Sequence, residues 1–112
     1  MGRLDDIRAK VARRQYELSR HAVDRTISRS ISVAELEQAF RNDCEIIEDY
    51  PDDKYGPSLL VLGMTDGGRA LHVQVSYASR PLLKLITLYE PDPGEWINFR
   101  ERREQENAEG YE

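Results

Sequence analysis

The sequence contains little of what several kinds of functional site require. Its 112 residues include one cysteine and two histidines, which excludes an internal disulfide and predicts no cysteine-based zinc site. Neither G-x-x-x-x-G-K-[ST] nor G-x-G-x-x-G occurs, so no phosphate-cradling loop is predicted. No apolar run approaches the ~20 residues that a membrane-spanning helix needs, and the charged start from Arg3 onward predicts no secretion signal. These absences predict one cytoplasmic domain over residues 1–112, with no cofactor, no metal and no membrane partner.

An excess of basic side chains is also missing. The chain has 16 basic and 21 acidic side chains, a net charge of −5, which argues against a generic nucleic-acid-binding protein. The charges are unevenly placed, however. Residues 1–30 carry eight basic and four acidic side chains, whereas residues 31–56 carry two basic and eight acidic ones. Because salt screens charges over ~10 Å, the basic opening can bind phosphate on an acidic protein, although an ordinary solvated helix explains the same arginines.

Hydrophobic spacing predicts helices first and strands afterwards. Residues 1–15 are expected to form a helix or a frayed arm, Ser19 to cap a second helix, and Ser32 with Glu35 to form the capping box of a third. Asp92 and the following Pro93 predict a last helix that carries Trp96, Ile97 and Phe99. A charged, frayed tail is expected over residues 101–112. The short segment 16–18 is a candidate strand edge, and four longer strands are predicted at residues 45–50, 59–65, 71–77 and 82–89.

This order predicts an α+β domain whose core spans residues 16–100. The N-terminal helices are expected to pack on one face of a twisted antiparallel sheet of about four strands, with a C-terminal helix after the sheet. Along the third of these strands, polar residues alternate with Leu71, Val73 and Val75. His72 is therefore placed on the sheet face opposite the core.

The two histidines are the residues from which chemistry can be argued. His21, Arg25 and Arg29 recur every four residues, so they share one helix face. Histidine exchanges protons near neutral pH and arginine holds phosphate, so these side chains with a nearby tyrosine suit metal-free RNA cleavage. The alternative, which the chemistry of the residues alone favours, is that His21 is an ordinary first-turn helix residue and His72 an ordinary exposed strand residue. Cys44 reads as a small buried hydrophobe and Asp52-Asp53 as a solvated loop tip.

Several motifs resemble those of a bacterial family, the domain of unknown function numbered four-two-five-eight. They are Leu18-Ser19-Arg20-His21-Ala22-Val23-Asp24-Arg25, Glu45-Ile46-Ile47-Glu48-Asp49-Tyr50-Pro51, Leu71-His72-Val73 and Ile86-Thr87-Leu88-Tyr89-Glu90-Pro91. That family is placed with the RelE- and BrnT-like toxins, small α+β proteins whose best-known members cut mRNA. The resemblance implies a RelE/BrnT-like fold and a partner antitoxin, of zinc-finger or helix-turn-helix type, from a neighbouring gene.

Carried onto this sequence, the motifs point to His21, Arg25, His72 and Tyr89 as the catalytic set. Arg29 and Arg80 are substrate-binding candidates from helix spacing and turn placement alone. The resulting hypothesis is a toxin-like endoribonuclease, an mRNA interferase acting through the 2′-hydroxyl, with mRNA on the ribosome as substrate. The alternative is a catalytically inactive toxin fold that serves as a protein-binding module.

Overall fold

The computed structural model describes residues 2–53, 56–77 and 81–103. Within them, three helices lead into a five-stranded sheet, and a short two-stranded hairpin follows. The helices are α1 (Arg3–Ala12), α2 (Arg20–Ser28) and α3 (Val33–Arg41). The strands are β1 (Tyr16–Leu18), β2 (Cys44–Tyr50), β3 (Ser58–Met64), β4 (Ala70–Ser76), β5 (Leu83–Tyr89), β6 (Trp96–Ile97) and β7 (Glu101–Arg102).

The helices begin where the sequence places their caps. The Ser19 hydroxyl accepts the Ala22 backbone N–H at 3.0 Å, which starts α2. Ser32 and Glu35 form the reciprocal capping box that starts α3. Both predictions are confirmed, because each cap satisfies N–H groups that a helix leaves free in its first turn.

The main sheet has the order β1-β5-β4-β3-β2. The four longer strands are antiparallel and agree with the predicted segments to within one residue. β1 adds a fifth, three-residue strand that runs parallel to β5. Ser19 extends this contact, since its N–H donates to the Leu85 carbonyl and its hydroxyl to the Ile86 carbonyl. The fold is therefore α+β, as predicted, with a mixed sheet.

The main core lies between the helices and one face of the sheet. Alternate residues of β3 and β4, among them Leu59 and Leu71, pack there with α3 residues such as Leu36 and Phe40. α1 docks on this layer through Ile7 and Val11 instead of extending as an arm.

The predicted C-terminal helix is wrong beyond its first turn. Asp92 does start a turn, because its carboxylate accepts the Gly94 N–H and its carbonyl accepts the Trp96 N–H. The chain then pairs β6 with β7 through a tight turn in which Asn98 and Phe99 have positive φ, as primed hairpin turns require. We call residues 95–103 the C-terminal strap; the tail residues 104–112 lie outside the described part of the chain. The strap forms because Trp96, 3% exposed, packs against the sheet face opposite the main core, which we call the second sheet face.

Candidate functional site

His72 lies at the centre of the second sheet face, under the C-terminal strap. Its neighbours Leu71 and Val73 point into the main core, and its own ring faces the other way, as predicted. The expected exposure is not found, because the side chain is 0% exposed. The imidazole packs edge-on against the Trp96 ring, with 4.4 Å between centroids. Strand alternation thus places His72 outward from the main core, and the C-terminal strap, which the sequence predicts as a helix, buries it.

Hydrogen bonds define the state of the His72 ring. Nε2 lies 2.6 Å from the Phe99 carbonyl oxygen, and Nδ1 lies 3.3 Å from the Tyr89 hydroxyl. A carbonyl only accepts, so Nε2 carries the proton and Nδ1 accepts from Tyr89. Burial lowers the pKa of His72, and the Phe99 carbonyl and Glu48 oppose that shift in part. The imidazole is therefore neutral and orients the Tyr89 hydroxyl.

The Tyr89 side chain, which pairs with His72, also lines a pocket on the second sheet face. This sheet pocket has a volume of about 160 Å³ and is lined by Tyr50, Asp53, Leu60, Gln74, Tyr89 and Arg102. Burial is the main cause that raises the pKa of Tyr89, while Arg102 lowers it and Glu48 raises it further. The phenol consequently keeps its proton at neutral pH and can donate it.

Among the described residues that line the sheet pocket, Arg102 is the cation. Its guanidinium lies 4.6 Å from the Trp96 ring centroid and pairs with the Glu48 carboxylate at 2.8 Å. The Tyr50 hydroxyl also donates to Glu48. Stacking and pairing hold the guanidinium plane in place, and the fork of N–H groups of an arginine suits carboxylate and phosphate oxygens.

The first part of α2 carries His21 and Arg25, the other two predicted catalytic residues. The Arg25 Nε–H donates to His21 Nε2 at 3.3 Å, so the i, i+4 contact expected from helix spacing is present. Ala22 is the buried residue of this helix, and His21 is exposed. The lining of the sheet pocket comes from the strands and the β2–β3 loop, so α2 does not contribute to it.

The predicted set therefore falls into two pairs within the described residues. His72 joins Tyr89 on the sheet, and His21 joins Arg25 on α2. Arg29 ends α2 with an exposed side chain, and its carbonyl accepts a hydrogen bond from Arg69. Arg80 lies outside the described residues.

Sequence reasoning missed Arg102 and Asp53 as pocket residues. Arg102 lay in a stretch assigned to a helix and tail, so no signal connected it with Tyr89. The turn-forming residues around Asp53 predict a solvated loop tip, although its carboxylate and its place just after β2 are signals that could have marked it. Among the described residues, no group of three or more His, Cys, Asp or Glu side chains is placed to hold a metal ion. None of the helices in that part of the chain is long and apolar enough to cross a membrane.

The buried, neutral His72 should make the stability of the fold depend on pH. The pKa of His72 is lowered in the folded chain, whereas an unfolded histidine has a pKa of about 6.5. Below about pH 6.5 the unfolded chain therefore binds a proton that the folded chain does not, and the free energy of unfolding falls, by at most ~1.4 kcal/mol per pH unit.

Urea unfolding between pH 5 and 7.5 measures this effect against the variant His72→Gln, whose amide can still donate to the Phe99 carbonyl. We expect the wild type to lose stability as the pH falls and the variant to give a flatter curve. The carboxylates of Glu35 and Asp66, whose pKa values are lowered, titrate in both proteins. Parallel curves would show that His72 is not the source.

Comparison with curated protein sequences and with solved structures finds no significant match. A family model, described as a domain of unknown function (DUF4258), matches residues 18–90. The matched region includes both residue pairs, His21 with Arg25 and His72 with Tyr89, and it ends before the C-terminal strap. Because that region covers more than half of the sequence, the chain belongs to the DUF4258 family.

Proposed function

We propose that the protein is a toxin-like endoribonuclease that cleaves mRNA at the sheet pocket, in a metal-free reaction through the 2′-hydroxyl. The observation that carries the proposal is the hydrogen-bond chain from the Tyr89 hydroxyl through His72 to the Phe99 carbonyl. A hydroxyl at a pocket, oriented by an imidazole whose second nitrogen is itself fixed, has the organisation of a positioned proton-transfer group.

Three of the pocket side chains each have one role in the proposed reaction. The Asp53 carboxylate takes the proton of the 2′-hydroxyl, and the 2′-oxygen bonds to phosphorus. Arg102 stabilises the charge that develops on the phosphorane oxygens. The bond from phosphorus to the 5′-oxygen breaks, and the Tyr89 hydroxyl turns its one proton from His72 Nδ1 to the substrate and gives it to that oxygen. The products are a 2′,3′-cyclic phosphate and a 5′-hydroxyl, and proton exchange with water restores Asp53 and Tyr89.

His72 acts as a positioning residue in this scheme, because its ring is buried and cannot reach the RNA. His21 and Arg25 would serve to bind the substrate, since they are accessible on α2. With a net charge of −5, the protein should hold free RNA weakly. We therefore expect the substrate to be mRNA presented on the ribosome in the cytoplasm. We also expect an antitoxin from a neighbouring gene to control the activity.

The test compares RNA cleavage by the wild type and by pocket variants with matched controls. Tyr89→Phe and Asp53→Asn should each slow cleavage at least about a hundredfold, as expected for a positioned proton-transfer group. Tyr77→Phe and Asp52→Asn change the same residue types outside the pocket lining and should cleave like the wild type. The assay uses mRNA in a translating extract and free RNA, and product ends are identified by mass.

Two results would overturn the proposal. One is an absence of cleavage by the wild type on both substrates. The other is full activity of Tyr89→Phe together with loss of activity in His21→Ala or Arg25→Ala, which would place the chemistry on α2.

The alternative function, a catalytically inactive protein-binding module, is favoured by the state of Arg102. Its guanidinium is already paired with Glu48, so a phosphate has to compete with a carboxylate. This alternative predicts RNA affinity that is weak and nearly flat with salt. An RNA-binding enzyme should instead lose affinity steeply as salt rises, in proportion to the phosphates it contacts.

A further inference from the structure

A groove between α1 and α3 lies on the helical layer, away from the sheet pocket. It consists of two adjoining cavities of about 460 and 470 Å³ that share Arg14 and Glu37 in their walls. Each volume is within the ~300–1,000 Å³ of ligand-binding pockets. The α3 residues that line it recur on one helix face: Val33, Ala34, Glu37, Phe40 and Arg41.

The groove is apolar at its floor. Val11 and Phe40 form the buried part, and Ala9 and Ala12 widen it because their side chains are short. At the far end Val33 is 47% exposed. From Val33 to Arg41 the floor extends along about 12 Å of helix at 1.5 Å per residue, which corresponds to roughly two turns of an opposing helix.

The walls of the groove are mainly basic. Among the described residues, three arginines, Arg8, Arg14 and Arg41, line it against one carboxylate, Glu37. Arg8 donates to the carbonyls of Phe40 and Arg41, neither of which neutralises its charge. The Arg14 side chain is 80% exposed and its contact with Glu37 is long, at 3.6 Å.

The single acid is already engaged within the chain. The Tyr16 hydroxyl donates to Glu37 at 2.5 Å, and burial together with this carboxylate raises the pKa of Tyr16 to about 12. Arg41 is held by Asp66. Among the described residues, Arg8 donates to backbone carbonyls and Arg14 has the long contact with Glu37, so these two arginines supply the net positive charge that a ligand would meet.

We propose that this groove docks an amphipathic helical segment of a partner protein that carries acidic side chains. Apolar residues of the segment would fill the floor between Val11, Phe40 and Val33, and its carboxylates would face Arg8 and Arg14. This is helix-in-groove recognition, in which residues at i, i+3, i+4 and i+7 provide the anchors. One wall of the groove, α1, precedes the matched residues 18–90, so this wall is not part of the region that matches the family. The inference does not depend on RNA cleavage.

The test uses a labelled helical peptide of about 16 residues. It has leucines at positions i, i+3, i+4 and i+7 and glutamates beside them. A matched peptide has lysines in place of the glutamates. Fluorescence anisotropy with the full chain should show binding of the acidic peptide at least about tenfold tighter than of the basic one, with the difference reduced by salt.

Variants locate the binding surface. Val33→Ser, Ala12→Gln and Arg14→Glu should each lower the affinity for the acidic peptide about tenfold. The first removes an apolar contact, the second fills the groove, and the third reverses a charge on its wall. Ile27→Ser is the control, because Ile27 is 74% exposed on α2 and does not line the groove. It should bind within about twofold of the wild type. Tyr89→Phe should also bind normally, which separates this proposal from the catalytic one. Circular dichroism confirms that each variant is folded.

Several outcomes would overturn the inference. They are equal affinity for the two peptides, an effect of Ile27→Ser without an effect of Val33→Ser, and displacement of the peptide by single-stranded RNA, which would indicate a phosphate site. Self-association that Val33→Ser abolishes in sedimentation would show that a second copy of this chain occupies the groove.

Discussion

Replacing Gly63 by alanine should cost the fold about 3 kcal/mol or more, at the upper end of the overpacking range. Gly63 lies in β3 directly beneath α3. A Cβ at this position would be 2.3 Å from the Ala39 carbonyl oxygen and 2.8 Å from its carbonyl carbon. These are backbone atoms inside a helix, so they cannot rotate away as the end of a side chain could. Either α3 must move off the sheet or β3 must bend, and both disrupt the core that Leu36 and Phe40 form with the sheet.

Urea unfolding of Gly63→Ala measures this loss. Gly67→Ala is the matched control, because a Cβ there would meet its nearest neighbour, the Thr65 hydroxyl, at 3.9 Å. The control should stay within about 0.5 kcal/mol of the wild type, as ordinary surface substitutions do. Ala39→Gly should not rescue Gly63→Ala, since the closest clash is with a carbonyl oxygen that glycine also has. Similar stabilities of Gly63→Ala and Gly67→Ala would contradict the close approach of α3 to β3.

The features that could be predicted from the sequence are those fixed by neighbouring residues. The caps at Ser19 and Ser32 depend on hydroxyls within a few residues of the N–H groups they bind, and both are present. The i, i+4 contact of His21 with Arg25 follows from helix geometry alone. Strand alternation likewise determined that His72 lies opposite the main core.

What could not be predicted depends on tertiary contacts. His72 and Tyr89 lie in separate sequence motifs, and the β4–β5 register is what places them directly opposite each other. Whether His72 was exposed depended on where Trp96, 24 residues later, would pack. The local signal around Asp92 was right about a first turn, but burial of Trp96 and pairing of β6 with β7 outweighed helix continuation. For the same reason Arg102, which no local pattern connects with Tyr89, entered the site only through the strap.

Truncating Trp96 to alanine should remove the anchor of the C-terminal strap. Loss of a buried tryptophan costs ~3–5 kcal/mol when the cavity cannot collapse, and here the ring contacts both the His72 imidazole and the Arg102 guanidinium. Because the strap pairs as a hairpin separate from the five-stranded sheet, we expect it to detach, which lowers the global stability by less than that range and exposes its amides to hydrogen exchange. The matched control Ile97→Ala removes the neighbouring side chain, which is 38% exposed, and should leave the strap protected.

Detachment of the strap also has consequences for His72 and for the sheet pocket. Without Trp96 and the Phe99 carbonyl, the imidazole is exposed to water, so the fall in stability below about pH 6.5 should become shallower than in the wild type. Arg102 would leave the pocket, and RNA cleavage should be lost although Tyr89 is unchanged. Trp96 is the single tryptophan, so unfolding of the variant is followed by circular dichroism. If Trp96→Ala and Ile97→Ala show the same exchange and the same pH dependence, then Trp96 does not hold the strap, and the burial of His72 must come from the strand contacts alone.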